Sequence, residues 1–170
     1  FITMILFNNI LFLRLCFLVF FFVSVGSFYF EYFMGLEPCK LCLYQRYLWL
    51  TSAIALLFLN LHKQMHIRKK LYLVLFLLIL ISILSVYHSG IEIGYFSNII
   101  TCSSSLGLDA TNVQELDQIL RSTENNDCAF PKFYFLGFSL ANLGAIVSLF
   151  LIFYCLINIK YEINNKYEKK

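Results

Sequence analysis

The sequence contains four apolar stretches, and each is long enough to cross a lipid bilayer as a helix. The hydrocarbon core of a bilayer is about 30 Å thick and takes about 20 residues of α-helix. None of the stretches carries a charge near its centre, and backbone groups in hydrocarbon must hydrogen-bond within their own segment. We therefore predict an all-α membrane protein, a four-helix transmembrane bundle that forms a single domain over residues 1–170. The predicted spans are approximately 14–30, 43–61, 71–89 and 133–159.

The composition excludes several other classes of protein. Hydrophobic residues make up 60% of the chain and charged residues 14%, whereas a globular domain has about 25% charged residues. So few polar side chains would not cover the core of a soluble domain, and such high hydrophobicity excludes an intrinsically disordered chain. The net charge of +3 is small and collects beside the apolar stretches, which argues against a nucleic acid partner and for membrane lipid.

The distribution of charge predicts the orientation of the chain in the membrane. The connection 62–70 and the tail 160–170 are basic, whereas the loops 31–42 and 90–132 hold eight of the ten acidic residues. Because basic segments stay on the cytoplasmic side, we expect both termini in the cytoplasm and the two acidic loops in the periplasm of a bacterial inner (cytoplasmic) membrane. An alternative is that the first stretch is a signal peptide ending near Ser27, but the apolar run continues past that point.

Four of the six cysteines lie in the two outward loops, Cys39 and Cys42 in the first, Cys102 and Cys128 in the second. An even set of cysteines facing an oxidising compartment indicates disulfide chemistry. Four cysteines allow three pairings, including cross-loop pairs, and the sequence leaves that choice open. The other two cysteines lie inside apolar stretches and are expected to be unreactive core residues; they are Cys16 and Cys155.

Cys39 and Cys42 form a C-x-x-C pair at the start of the second predicted span. This spacing closes a strained disulfide that exchanges readily, and a helix N-terminus favours a thiolate. Arg46 follows Cys42 by one helical turn, which places a cation just inside the membrane, where it needs a partner. His88 ends the third span at the same level. We expect it to hydrogen-bond a bound carbonyl group or to take up a proton.

The second loop carries the other cysteine pair in a long polar segment. Between Cys102 and Cys128, residues 111–120 place their apolar side chains on one helical face and begin with a capping-box pattern. We predict that 111–120 is a short amphipathic helix on the membrane surface. Such a helix would tether the loop and keep the second cysteine pair close to the bilayer.

Two cysteine pairs can pass two electrons between them by thiol–disulfide exchange, and these electrons need an acceptor. The sequence contains neither the haem-attachment motif C-x-x-C-H nor the dinucleotide-binding motif G-x-G-x-x-G. The bilayer itself holds quinones, which accept two electrons. We therefore predict a quinone as cofactor, ubiquinone or menaquinone, with Arg46 stabilising negative charge on its ring oxygen.

Several segments resemble the DsbB family of bacterial disulfide-forming quinone reductases. The first is GLEPCKLCLYQR at 35–46, followed by YHSG at 87–90, CAFP at 128–131 and FLGFSLA at 135–141. The resemblance covers nearly the whole chain, with four spans and both cysteine pairs in order. It implies an inner-membrane thiol:quinone oxidoreductase that reoxidises a periplasmic DsbA-like thiol oxidase and passes the electrons to the quinone pool, so that disulfide bonds are generated in other proteins.

The resemblance also implies a role for each catalytic cysteine. Cys102 matches the position that forms a mixed disulfide with the DsbA-like partner, and its pair is Cys128. Cys39 matches the sulfur that exchanges with the second pair, and Cys42 matches the sulfur that meets the quinone. Two further positions match quinone-binding residues of the family, Arg46 and His88.

Three alternatives remain open at this point. A relative of the vitamin K epoxide reductases would carry its C-x-x-C near the end of a late helix, not before the second span. A zinc site usually combines two C-x-x-C units, and Cys102 and Cys128 do not form one; the redox interpretation predicts no metal. A structural membrane protein with two inert disulfides would leave the C-x-x-C pair and Arg46 unexplained.

Overall fold

The computed structural model describes residues 9–36, 38–61, 65–96, 128 and 133–168, with the backbone alone for 165–168. In this part of the chain there are four long helices and one short hairpin. In chain order they are α1 (Asn9–Tyr32), α2 (Lys40–Leu61), α3 (Ile67–Glu92), β1 (Tyr134–Phe135), β2 (Phe138–Ser139) and α4 (Leu140–Glu168). The predicted amphipathic helix at 111–120 lies outside the described residues, and so does Cys102.

All four helices are long and apolar enough to cross a membrane. Mean hydropathy is similar in α1, α3 and α4 and lower in α2. The value for α2 is the lowest, since this helix carries the polar side chains of Gln45 and Arg46 in its second turn. The predicted architecture, a four-helix transmembrane bundle, is confirmed.

The core of the bundle lies in the half away from the C-x-x-C pair. Helix α3 packs extensively on α4, and α1 packs on α2, whereas α1 has few contacts with α3 or α4. The core contains Cys16 and Cys155, and neither side chain has any solvent exposure. At the opposite end a small second cluster of buried side chains surrounds Cys39 and Cys128. The loose association of α1 with α4 leaves space at this second end.

The end of α3 is closed by a left-handed glycine. Gly94 has φ +81°, and the amides of Gly94 and Tyr95 donate to the carbonyls of Ile91 and Gly90 at 3.0 and 2.7 Å. This pair of bonds is a Schellman motif, which satisfies the last carbonyl groups of the helix. Helix α3 therefore ends at Glu92.

The last helix begins later than predicted. The sequence pattern predicts a span from residue 133, but residues 134–139 form an antiparallel hairpin and α4 begins at Leu140. The two residues of the turn, Leu136 and Gly137, have φ +51° and +83°, as two-residue hairpin loops require. Aromatic and branched apolar residues suit a strand as well as a helix, so hydrophobicity alone did not separate the two.

Ser139 sets the position at which α4 begins. Its side-chain oxygen accepts the amide of Asn142 at 3.1 Å, the bond that an N-cap residue makes to the third residue of its helix. The same hydroxyl donates to the carboxylate of Glu92 at the end of α3. One serine thus caps α4 and ties it to α3.

Candidate functional site

Cys39 is the N-cap residue of α2. Its carbonyl accepts the amide of Leu43 at 3.0 Å, and its sulfur accepts the amide of Cys42 at 3.3 Å. The sulfur therefore occupies the place in which a serine or aspartate oxygen usually caps a helix. This hydrogen bond and the positive end of the helix dipole both stabilise negative charge on the sulfur.

Cys42 and His88 complete a close group with Cys39. The two sulfurs are free thiols 3.1 Å apart. The Nε2 atom of His88 lies 3.7 Å from the sulfur of Cys39 and 3.9 Å from that of Cys42. His88 is 2% exposed, so its ring is held against the sulfurs by the surrounding helices.

Gln45 orients the ring of His88. Its amide nitrogen donates to the hydroxyl of Ser85 at 2.8 Å, which turns its carbonyl oxygen toward Nδ1 of His88 at 3.2 Å. Because a carbonyl oxygen only accepts hydrogen bonds, Nδ1 carries a proton, and in the neutral ring Nε2 has the lone pair. That lone pair faces the two sulfurs of the C-x-x-C pair.

Cys128, in the second loop, is buried in contact with Cys39 of the first loop. Its thiol is 2% exposed, is hydrogen-bonded to the sulfur of Cys39 and receives the amide of Leu41. The hydrogen bond to Cys39, followed by burial, raises the pKa of the Cys128 thiol well above its ordinary value. Three sulfurs from two loops are therefore gathered at the start of α2.

Arg46 is buried and held from α1. Its side chain is 7% exposed and forms an ion pair with Glu31, while a second nitrogen donates to the carbonyl of Ser27 at 3.4 Å. The guanidinium also lies over the ring of Phe28, 4.6 Å from its centroid, a favourable cation–π contact. The Nε atom is buried without a partner among the described residues. Glu31 thus neutralises the cation, and one buried donor stays available.

Glu92 stands on the other side of His88. It is the last residue of α3, its side chain is 7% exposed, and one oxygen lies 3.6 Å from Nε2 of His88. Its other oxygen accepts the hydroxyl of Ser139. The carboxylate therefore joins the imidazole to the start of α4.

A cavity of about 450 Å³ opens between the helices beside these groups, within the usual size range of small-molecule sites. Its walls are mainly apolar side chains of α1 and α4. Trp49 lies on its α2 side and packs edge-on against Phe20, with 5.2 Å between the ring centroids. The polar groups that face the cavity come largely from the residues described above: Cys39, Cys42, Gln45, Arg46, His88, Glu92 and Cys128.

The structure brings together five of the six site residues predicted from the sequence. These five are Cys39, Cys42, Arg46, His88 and Cys128, and the sixth, Cys102, lies outside the described residues. The sequence analysis missed Glu31, Gln45 and Glu92. Two of these had a local signal, because Glu92 follows His88 by one helical turn and Gln45 is a polar residue in an apolar helix. Glu31 had none, because its partner Arg46 is on another helix.

The same group of atoms also has the dimensions of a metal site. The two sulfurs of the C-x-x-C pair and one ring nitrogen of His88 all lie within 4.8 Å of one another. The zinc alternative considered above had four cysteine ligands, whereas the donors gathered here are two thiols and an imidazole.

Comparison with known proteins gives the family. The chain matches the family model described as disulfide bond formation protein DsbB over residues 9–158. It is also similar to the uncharacterized protein RP370 of Rickettsia prowazekii (strain Madrid E), with 28% identity over 141 residues that cover 80% of this chain and 79% of that protein. No solved structure shows a significant match. The family match includes both cysteine pairs and nearly the whole bundle, and the chain therefore belongs to the DsbB family of membrane proteins that form disulfide bonds.

Proposed function

We propose that the chain is a thiol:quinone oxidoreductase of the bacterial inner membrane, which reoxidises a DsbA-like periplasmic thiol oxidase. The main support for this proposal is that three sulfurs line one largely apolar cavity between transmembrane helices. They belong to Cys39, Cys42 and Cys128. Sulfurs from two loops in contact can exchange disulfides, and an apolar cavity at membrane depth suits a lipid-soluble acceptor.

The cavity fits the ring of a quinone. A quinone, when bound, accepts two electrons and two protons. Apolar side chains of α1 and α4 form much of the cavity wall, and Trp49 lines it on the α2 side. Arg46 carries a buried Nε donor without a partner, the kind of group that holds a carbonyl oxygen and stabilises negative charge on it. Ubiquinone and menaquinone both satisfy these features.

The contact between Cys128 and Cys39 supports a specific order of exchange. A thiolate of the reduced partner attacks Cys102 of a Cys102–Cys128 disulfide, which forms a mixed disulfide and releases Cys128. Cys128 attacks Cys39 of the Cys39–Cys42 disulfide and releases Cys42 beside the cavity. The second thiol of the partner then displaces Cys102, and the Cys102 thiolate attacks Cys128 and releases Cys39. One disulfide has passed to the partner, and two electrons remain on Cys39 and Cys42.

We infer that His88 takes up a proton from this pair of cysteines. With Nδ1 donating to Gln45, the Nε2 lone pair faces both sulfurs. When the disulfide between Cys39 and Cys42 re-forms, two thiol protons leave together with two electrons. His88 accepts a thiol proton at Nε2, and Glu92 beside it stabilises the charged ring.

The charge pattern supports the orientation that this function requires. We place the chain as a single membrane domain with loops 31–42 and 90–132 in the periplasm, and with the connection 62–70 and tail 160–170 in the cytoplasm. The basic residues at the start of α3 lie at the end of the bundle opposite to the cysteines, in agreement with the positive-inside rule. The reactive loops then face the oxidising compartment.

The proposal is tested by reconstitution in lipid discs with a reduced DsbA-type protein and ubiquinone, without oxygen. We expect one quinone to be reduced for each disulfide formed in the partner. Cys39→Ala and Cys42→Ala should each abolish turnover, whereas a Cys16→Ala/Cys155→Ala variant should retain it, because those thiols lie in the opposite half of the bundle. Wild-type turnover in either single variant, or partner oxidation without quinone loss, would refute the proposal.

A further inference from the structure

The ligand atoms of Cys39, Cys42 and His88 lie within 4.8 Å of one another, close enough to share one metal ion. We propose that the reduced protein binds a thiophilic divalent cation such as zinc at these three residues. The bound ion reversibly blocks disulfide formation. The inference rests on the proposed function in one respect, since turnover is what produces the reduced pair. The binding itself depends only on the three donor atoms.

The distances among the donors are close to those of a tetrahedral zinc site. Zinc–sulfur bonds of about 2.3 Å and zinc–nitrogen bonds of about 2.0 Å place sulfur and nitrogen ligands about 3.5 Å apart and two sulfurs about 3.8 Å apart. The observed separations from His88 to the two sulfurs are 3.7 and 3.9 Å. The two sulfurs are 3.1 Å apart, so they need to separate by about 0.7 Å for the ion to bind.

The imidazole already has the orientation that a metal ligand needs. A ligating histidine usually donates its other ring N–H to a carbonyl or carboxylate group, which fixes the tautomer. Here the carbonyl oxygen of Gln45 faces Nδ1 at 3.2 Å, and Ser85 holds the Gln45 amide in place. The Nε2 lone pair is therefore directed at the sulfurs before any ion arrives.

The chemistry of the donors selects a class of cation. Two thiolates and an imidazole favour zinc and softer ions such as cadmium over magnesium or calcium. Binding releases the two thiol protons and transfers no electrons, so no oxidant or reductant is consumed. Three protein ligands leave a fourth position for water, the arrangement of zinc sites that stay open. While both sulfurs coordinate the ion, they are unable to form a disulfide with each other or with Cys128.

The test uses cobalt as a coloured substitute for zinc. We would reduce the purified full-length protein with a non-coordinating phosphine, add Co²⁺ without oxygen, and record the thiolate-to-cobalt charge-transfer band. We expect one ion per chain, displacement by zinc, and no band in protein whose Cys39–Cys42 disulfide is formed. The oxidised protein needs no substitution, so its result is independent of any folding defect in a variant.

Substitutions then assign the ligands. Cys42→Ala and His88→Gln should each weaken binding by more than the roughly 10- to 100-fold expected for loss of an outer partner, and Gln45→Leu should weaken it within that range. His66→Gln and Cys16→Ala/Cys155→Ala are matched controls, since His66 is exposed and both cysteines lie in the core far from the site. They should bind like the wild type.

The outcomes separate this inference from the proposed function. Absence of the band in fully reduced wild-type protein, or a band that survives in both the oxidised protein and His88→Gln, would overturn the metal site. Metal-free quinone reduction by the same sample is measured in parallel. If quinone is reduced and no ion binds, the inference alone fails. If an ion binds and no quinone is reduced, the proposed function alone fails.

Discussion

At the scale of single residues, the contacts of Cys128 with the start of α2 favour its neutral thiol over the reactive thiolate. The amide of Leu41 and the sulfur of Cys39 are both hydrogen-bonded to it. The contact with Cys39 raises the pKa of the Cys128 thiol, so the neutral thiol is favoured while Cys39 is reduced. The thiolate, which is the reactive form, is then rarer at Cys128 than at a free cysteine at the same pH.

This pKa shift predicts a pH profile for alkylation. In the reduced protein, the alkylation rate of Cys128 should still be rising at a pH above the ordinary cysteine range. Cys39→Ala removes the largest cause of the shift, so the midpoint should fall toward lower pH. The measurement is the pH dependence of iodoacetamide labelling of the Cys128 peptide by mass spectrometry. The midpoint, unlike the absolute rate, is insensitive to access. An equal midpoint in both proteins would contradict the hydrogen bond.

Arg46 supports a second prediction at this scale. Its Nε is a buried donor without a partner among the described residues, and a hydrogen bond in which one partner is charged, here the guanidinium, contributes about 1.5–3 kcal/mol. Arg46→Ala should therefore raise the KM for a soluble quinone analogue about ten- to a hundred-fold. Arg46→Lys, which keeps the charge but lacks Nε, should raise it nearly as much, since the two side chains are not interchangeable at such sites.

The matched control for these variants is Arg14→Ala, because Arg14 is exposed at the other end of the bundle. It should leave the KM unchanged. A wild-type KM in Arg46→Lys would show that Nε does not hold the quinone, and a wild-type KM in Arg46→Ala would remove the residue from the site altogether.

The sequence predicted the residues of the site whose chemistry is visible from spacing along one helix. Cys39, Cys42 and Arg46 follow one another at helical intervals, so they were predicted without knowledge of the fold. Gln45 was missed because its role depends on the side it presents to α3, and Glu31 because it reaches Arg46 from α1. Such contacts depend on how two helices are rotated against each other, and packing decides that rotation.

At the scale of elements, the start of α4 is where the sequence prediction was least accurate. Residues 134–139 are apolar enough to extend the helix, but the positive φ at Leu136 and Gly137 reverses the chain instead. Ser139 then caps the helix and binds Glu92. The serine was not recognised because a capping residue is identified by its neighbours in space as much as by its type.

Removal of this cap should destabilise the bundle. Ser139→Ala loses a helix cap and should reduce the stability by about 0.5–2 kcal/mol, seen as a lower Tm in detergent, while Ser139→Thr keeps the hydroxyl and should restore it. Thr51→Ala is the control, because its exposed hydroxyl bonds only to carbonyls of its own helix; a change within about 0.5 kcal/mol is expected there. Equal Tm values for Ser139→Ala and Thr51→Ala would contradict the capping role.

At the scale of the whole molecule, the bundle divides into a packed half and a half with a cavity. The buried core fills the half that contains Cys16 and Cys155, while the other half opens where α1 has few contacts with α4. The number of helices and the class of fold followed from the sequence, since the thickness of a bilayer leaves little choice. The cavity did not, because it arises from unequal packing between helices.

The proposed orientation makes a prediction for intact cells. In a background without native cysteines, Tyr95→Cys should react with a membrane-impermeant maleimide added from outside, because Tyr95 follows the end of α3 that we propose to be periplasmic and is 83% exposed. Lys69→Cys, on an exposed position at the other end of α3, should react only after the membrane is permeabilised. The reverse pattern would contradict the orientation.

The proposed reduction of a quinone by the thiols of this chain can be followed in a single reaction. Reduced, purified protein is mixed with a soluble quinone analogue in the absence of oxygen, and quinone absorbance and free thiols are followed together. We expect the loss of two thiols for each quinone reduced, with Cys39 and Cys42 recovered as a disulfide in the first turnover. Intact thiols and unchanged quinone absorbance would contradict it.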